Sequence, residues 1–282
     1  MTTLTLGRTG LVINKDAFGA LPLQRTDKTE AAQILGKALD GGINFIDTAR
    51  AYTDSEEKIA AALAHRRSEF FIATKTMAKD PAAFWRDLNT SLRTLKTDTI
   101  DVYQIHNPSV VPRPEDGSGL YEALQMAQHQ GKIRFIGISN HRLGLAKEAA
   151  ESGLYDTLQF PFSYLSEEKE IELTDYCLKN NVGFMAMKAL SGGLITDIFT
   201  ARAYMEDFPG VTPLWGIQRM EELDLLTEAM RRPAGALSDR ERARIEADRA
   251  ELAGDFCRGC GYCAPCPAEI QIFLCARMSL MT

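Results

Sequence analysis

Between residues 17 and 230, short apolar runs alternate eight times with longer amphipathic stretches, and this alternation narrows the fold more than any other feature. The runs at 17–21, 44–47, 70–75, 100–106, 133–139, 157–162, 182–188 and 211–217 read as strands. The stretches at 29–40, 56–63, 81–95, 120–130, 143–152, 167–180, 201–207 and 220–230 read as helices, several with a recognisable start or stop. Pro81 suits a first helical turn, and Gly41-Gly42 suits a helix end. Eight strand–helix units of this length are what a closed parallel (β/α)8 TIM barrel of the α/β class requires. A doubly wound open sheet is the competitor, and the lack of a Gly-x-Gly-x-x-Gly after an early strand counts against it. Ahead of the barrel, residues 4–7 and 11–13 flank a Gly-Arg-Thr-Gly turn and read as a β-hairpin. A chain of 282 residues suits one barrel, residues 1–236, and a small C-terminal extension, residues 237–282.

In a parallel barrel the strands deliver functional groups to one mouth, at their C-terminal ends. Here those ends carry Asp47 with Tyr52 just beyond it, Lys75, His106, Ser139-Asn140, Gln159 and Lys188. Each has an ordinary reading when taken alone: a helix cap, a loop aromatic, a solvated lysine, a satisfied buried imidazole. Gathered at one rim they form a proton-transfer set. A phenol is a poor acid at neutral pH. A neighbouring ammonium is expected to lower its pKa, and a carboxylate beside that lysine keeps it charged and oriented. A histidine alongside can hold a substrate oxygen by donating to it.

Asp47-Thr48-Ala49-x-x-Tyr52-x-x-Ser55-Glu56, Ile72-Ala73-Thr74-Lys75, Asp101-Val102-Tyr103-x-x-His106 and Phe135-Ile136-Gly137-Ile138-Ser139-Asn140 together resemble the motifs of the aldo-keto reductase superfamily, in order along the chain. The resemblance implies a catalytic tetrad of Asp47, Tyr52, Lys75 and His106, with Tyr52 as general acid. It implies an NADPH or NADH cofactor whose carboxamide is held by Ser139, Asn140 and Gln159, and a small-molecule carbonyl substrate. Lys188, at the end of the seventh strand, is counted with the cofactor-binding residues, and Ser191-Gly192-Gly193-Leu194 after it stand where relatives cover the pyrophosphate. Near Gly216 and Glu222, NADPH-selective relatives usually place a lysine and an arginine against the 2′-phosphate. This chain has no lysine there and a carboxylate at the second position. A like charge facing a phosphate is repulsive, and Arg219 substitutes only if its loop turns inward.

The tail carries the second signal. Ser238 with Glu241 reads as a capping box opening a charged helix to about residue 253. Then comes Cys257-Arg-Gly-Cys260-Gly-Tyr-Cys263-Ala-Pro-Cys266-Pro267. This approaches the ferredoxin run C-x-x-C-x-x-C-x-x-x-C-P, with the last gap one residue shorter. Structural zinc wants two separated C-x-x-C pairs, which are absent. One [4Fe–4S] cluster on Cys257, Cys260, Cys263 and Cys266 is therefore expected, with zinc and free thiols as alternatives. Cys275 is the alternative fourth ligand, and Cys177 reads as a buried helix residue. The tail resembles that of a reductase-like subgroup with a ferredoxin-type extension. Some members continue into a second cysteine set, whereas this chain stops at Thr282, as a short member or a shortened chain would.

A net charge of −6 gives no electrostatic case for nucleic acid or an anionic membrane. No signal peptide or apolar run of spanning length is evident, and the clustered cysteines suit a reducing compartment, so the cytoplasm is expected. Two functional readings follow. One is an NAD(P)H-dependent oxidoreductase acting on an aldehyde, a ketone, or the corresponding alcohol or sugar. The other is an iron–sulfur electron-transfer or redox-regulatory protein on the same scaffold with weakened nicotinamide binding. In the first the cluster would be structural, or a docking element for a redox partner protein, or a redox sensor.

Overall fold

The computed structural model of the chain describes residues 2–233, 235–252, 266–270 and 272–275. β1 (Thr3–Thr5) and β2 (Val12–Asn14) pair antiparallel as the expected hairpin. Eight parallel strands then close a barrel. They are β3 (Ala17–Gly19), β4 (Phe45–Asp47), β5 (Phe71–Thr76), β6 (Ile100–His106), β7 (Ile133–Ser139), β8 (Thr157–Pro161), β9 (Gly183–Met187) and β10 (Val211–Gly216), the last bonded back to β3. Between and after them run α1 (Lys28–Asp40), α2 (Ser55–Leu63), α3 (Pro81–Leu95), α4 (Leu120–His129), α5 (Leu143–Glu151), α6 (Glu168–Lys179), α7 (Ile198–Glu206) and α8 (Met220–Arg231). α9 (Asp239–Leu252) follows.

The element ends follow local chemistry. α3 starts where Asp80 accepts from Ala83 N at 2.8 Å, with Pro81 in the first turn. α7 starts three residues before the sequence reading, because the Asp197 side chain accepts from Phe199 N and Thr200 N and caps it there. The first barrel strand stops at Gly19, and Pro22 sits in the 3-10 turn Leu21–Arg25 that follows. α9 has the Ser238–Glu241 capping box, with Glu241 N donating to Ser238 Oγ and Ser238 N to Glu241 Oε2. It is tied to the loop after β8: Tyr164 donates to Asp248, and Arg249 Nε donates to the Tyr164 carbonyl at 2.6 Å.

Strand side chains alternate between two environments. Ile46, Ile72, Tyr103, Ile136 and Phe184 point outward into the main core under the helices. Phe45, Ala73, Val102 and Met185 point inward and pack with Leu6, Leu11 and Ile13 of the hairpin segment. The hairpin thus stoppers the barrel at the N-terminal ends of its strands. One inward step further along, Asp47, Lys75, Gln104 and Gln159 replace the apolar residues and are themselves buried. The lumen therefore runs from apolar at the stopper to polar at the mouth. Outside it, Asp16 accepts from Arg202 Nε and Trp215 Nε1, each at 2.9 Å, tying the entry of β3 to α7 and β10.

The stopper fits closely at Gly7, whose φ is +49°. A Cβ there would lie 2.2 Å from Gly183 N, against main chain that cannot swing aside. Gly10 also has a positive φ, +69°, but a Cβ there would meet open space. We expect Gly10→Ala to cost about 1–2 kcal/mol, the left-handed penalty alone. Gly7→Ala should cost more than about 4 kcal/mol, since the hairpin must lift off the barrel. Urea denaturation of the two variants measures the difference, and equal losses would contradict the stopper.

Candidate functional site at the barrel mouth

β4, β5 and β6 are neighbours in the barrel, so Asp47, Lys75 and His106 meet although distant in sequence. Lys75 Nζ donates to both Asp47 oxygens, at 2.8 and 2.7 Å, and to the Thr48 carbonyl at 2.6 Å. The pair is sealed from solvent, with Lys75 1 % and Asp47 3 % exposed. With those three N–H groups so aimed, what Lys75 offers Tyr52 is chiefly its charge. The ammonium lies 5.2 Å from the centroid of the half-buried Tyr52 ring. The rings of Tyr52 and His106 meet edge to face, with centroids 5.9 Å apart. All four members of the expected tetrad stand together.

Around the pair lie two more side chains, of which the sequence reading singled out Gln159 but not Gln104. Gln104 Nε2 donates to Asp47 Oδ1 at 3.2 Å, and Gln159 Nε2 donates to Oδ2 at 3.1 Å. Gln104 was detectable, since it is the inward position two residues before His106 and follows the apolar inward Val102. On the other side of β5, buried Glu56 accepts from Thr74 Oγ1 at 2.8 Å and from Ser91 Oγ at 2.7 Å, and pairs with Arg50.

Burial moves the titrations. The Tyr52 hydroxyl is pushed up by desolvation, and the Lys75 charge offsets this only in part. The expected lowering is thus reversed, because a phenolate in this setting loses more hydration than one ammonium returns. Burial also drives His106 down to about 3, with Lys75 adding repulsion, and His141 down to about 4. Desolvation raises the Asp47 carboxyl, opposed by the Lys75 charge and by the hydrogen bonds of Lys75 and the two amides. Tyr52 is a protonated phenol and His106 a neutral imidazole across the physiological range.

The residues expected to hold a nicotinamide cofactor are mostly engaged with the protein itself. Ser139 Oγ accepts from Asn107 N at 3.2 Å. Asn140 donates to the Pro108 carbonyl at 3.0 Å and accepts from Arg142 N at 2.9 Å. Gln159 keeps one buried oxygen, Oε1, without a hydrogen-bond partner. Lys188, Ser191, Gly192 and Gly193 all take positive φ. Ser191 N and Gly193 N donate to Lys188 and Leu190 carbonyls within the turn, and Ser191 Oγ pairs with Ser163 Oγ at 2.8 Å. Leu194 is buried beneath. Phe162, Ser163, Lys188 and Ser191 line a small, shallow cleft beside this turn. Arg219 does not turn inward. Its guanidinium is exposed and bonds Glu222 Oε1 at 3.0 and 2.8 Å, while Glu222 Oε2 accepts from Gln218 N at 2.9 Å.

Of the expected cluster ligands, Cys257, Cys260 and Cys263 lie outside the described residues. Cys266 is half-buried and Cys275 exposed. Cys177 is buried within α6, where desolvation pushes its thiol up to about 12. Among the described residues no group of three or more His, Cys, Asp or Glu is arranged to hold a metal ion, and no helix is long and apolar enough to cross a membrane.

The aldo/keto reductase family model matches residues 15–233. The oxidoreductase YqkF of Bacillus subtilis is 29% identical over 206 residues, covering 68% of this chain and 66% of that protein. The aldo-keto reductase YhdN of the same organism is 30% identical over 199 residues, covering 65% and 59%. The chain thus spans about three fifths to two thirds of the length of these curated relatives. The solved apo form of aldo-keto reductase AKR11C1 from Bacillus halodurans superposes with a TM-score of 0.73 at 25% identity, covering 90% of this chain and 98% of that one.

The two depressed histidines make stability depend on pH. In the unfolded chain they take up protons below about pH 6.5, whereas in the fold they stay neutral down to about 3 and about 4. The unfolded state then binds more protons, so this contribution to stability is lost as pH falls from about 6.5. Urea unfolding at pH 7 and pH 4.5 should show a smaller acid loss in the His106→Asn, His141→Asn double variant than in the wild type. An identical loss would refute the assignment.

Proposed function

Because the chain belongs to the aldo/keto reductase family, we propose that it is an oxidoreductase reducing an aldehyde or ketone, or oxidising the corresponding alcohol or sugar, with NADPH or NADH. One observation carries the reading. A sealed Lys75–Asp47 pair stands beside a protonated Tyr52 and a neutral His106 at the open end of the barrel.

The bound reduced nicotinamide supplies the hydride. The chain's residues are assigned as follows. The unpaired, buried Oε1 of Gln159 fits a carboxamide N–H, and Ser139, Asn140, Lys188 and the turn from Ser191 through Gly192 and Gly193 to Leu194 are assigned to the remainder. A Glu222 carboxylate at the start of α8, bonded to Arg219, makes a poor site for a 2′-phosphate, which supports use of NADH as well as NADPH. His106 Nδ1 is buried without a partner. An orphaned N–H there would cost about 1–3 kcal/mol, so the proton belongs on Nε2, which donates to the carbonyl oxygen. As hydride reaches the carbonyl carbon, the oxygen gains charge and Tyr52 gives it the phenolic proton. Lys75 stabilises the tyrosinate left behind until solvent reprotonates it. Tyr52 is protonated at neutral pH, the state that this acid role requires.

For the tail we propose one [4Fe–4S] cluster on Cys257, Cys260 and Cys263, closed by Cys266 or Cys275, from cysteine spacing alone. A redox partner protein would dock there, and hydride transfer takes no step through it. Set against a scaffold used only for electron transfer, the full tetrad supports the enzyme.

Tyr52→Phe should lower kcat about 10²–10⁴-fold in a carbonyl-reduction assay. Its nicotinamide affinity, read by fluorescence titration, should stay at the wild-type value. Failure of the wild type to bind NADH or NADPH at all would overturn the enzyme reading. Protein purified without oxygen should contain iron and acid-labile sulfide in equal amounts, and zinc without sulfide would replace the cluster assignment.

A further inference from the structure

Gln104 stands on β6 two positions before His106, is fully buried, and takes no part in the proton transfer described above. Its register neighbours are Lys75 on β5 and Gly137 on β7. Each Asp47 oxygen receives one Lys75 N–H and one amide N–H, from Gln104 on Oδ1 and from Gln159 on Oδ2. Four donors on two oxygens fix the plane of the carboxylate, and the carboxylate fixes the ammonium beside Tyr52. The barrel makes room for this arrangement at Gly137. A Cβ there would lie 2.7 Å from Gln104 Cγ and 2.5 Å from Thr157 Oγ1. As packing material the amide is unfavourable, since its Oε1 is buried without a partner. The favourable contact it does make is the one to Asp47.

We infer that Gln104 is a positioning residue for carbonyl reduction: its amide holds Asp47 ionised and in plane, and through Asp47 it sets the Lys75 charge that acts on Tyr52. This rests on the reductase function proposed above. The groups that can carry charge and act on Asp47 are Lys75 and Tyr52, and His106 acts on Lys75. Glu56, paired with Arg50, bonds Thr74 on the outer side of β5, and His141 adds repulsion at His106. His106 stays neutral down to about pH 3 and Tyr52 stays protonated, so an acid limb in activity reports the Asp47–Lys75 pair.

Gln104→Met keeps the side-chain length and removes the donor. Without that donor the Asp47 carboxylate takes up a proton more readily, and activity is lost at a higher pH as the solution is acidified. The acid limb of kcat against pH should move up by about one pH unit, the scale of one hydrogen bond to a charged group. At the pH where the wild type is half-active on that limb, activity relative to pH 8 then falls several-fold, while the nicotinamide Kd stays unchanged. An unmoved limb, or a loss uniform in pH, overturns the inference. Gln104→Glu provides an independent arm should the first variant fail to fold. Its carboxyl donates only when protonated, so its activity relative to wild type should fall as pH rises, and a flat ratio overturns the inference. If the wild type reduces carbonyls and neither variant shows these shifts, only the role of Gln104 fails. If the wild type reduces none, the reductase reading fails with it.

Discussion

An ammonium and a carboxylate, both out of reach of water, are the interaction on which the mouth of this barrel depends. Such a pair is a weak stabiliser, because desolvating two ions offsets most of their attraction. Removing one partner is another matter and costs about 3–5 kcal/mol, since the survivor is left charged and alone. Lys75 and Asp47 are tolerated because the surrounding strands supply the remaining hydrogen bonds: the Thr48 carbonyl for the amine, two glutamine amides for the acid. The cluster is rigid because each donor stands on a different strand of one closed sheet. Tyr52, on the loop that follows, meets a charge whose position is already decided.

The barrel reaches this arrangement by grading its lumen. Near the hairpin the inward residues are Phe45, Ala73 and Val102, and they pack as an ordinary core. Further along, the same strands offer Asp47, Lys75 and Gln104. Apolar packing below supplies the cohesion, and the polar layer above carries the titratable groups. The outward face of the strands is apolar along most of its length and binds the helices.

Much of this was legible because the two faces of a strand alternate. The eight runs located the barrel, and their last residues located Asp47, Lys75 and His106. Gln104 was passed over although it obeys the same alternation, because it stands within its strand rather than at the end. The direction of the Tyr52 titration was misjudged for a different reason. A sequence shows that a lysine is near, but not how much water the fold removes, and here water removal is the larger effect. Arg219 illustrates a third limit. Its neighbour three residues on, Glu222, is a partner by helical geometry alone, and that local pairing held it at the surface. Cys257, Cys260 and Cys263 are outside the described residues, so their grouping rests on spacing, whereas α9 ahead of them is tied to Tyr164.

The hairpin beneath the barrel has a consequence for where a visitor can sit. Phe45, Ala73, Val102 and Met185 fill the interior against Leu6, Leu11 and Ile13, so the barrel is solid through its lower half rather than hollow. The buried Lys75–Asp47 pair forms the floor above that filling, and depth of entry ends there.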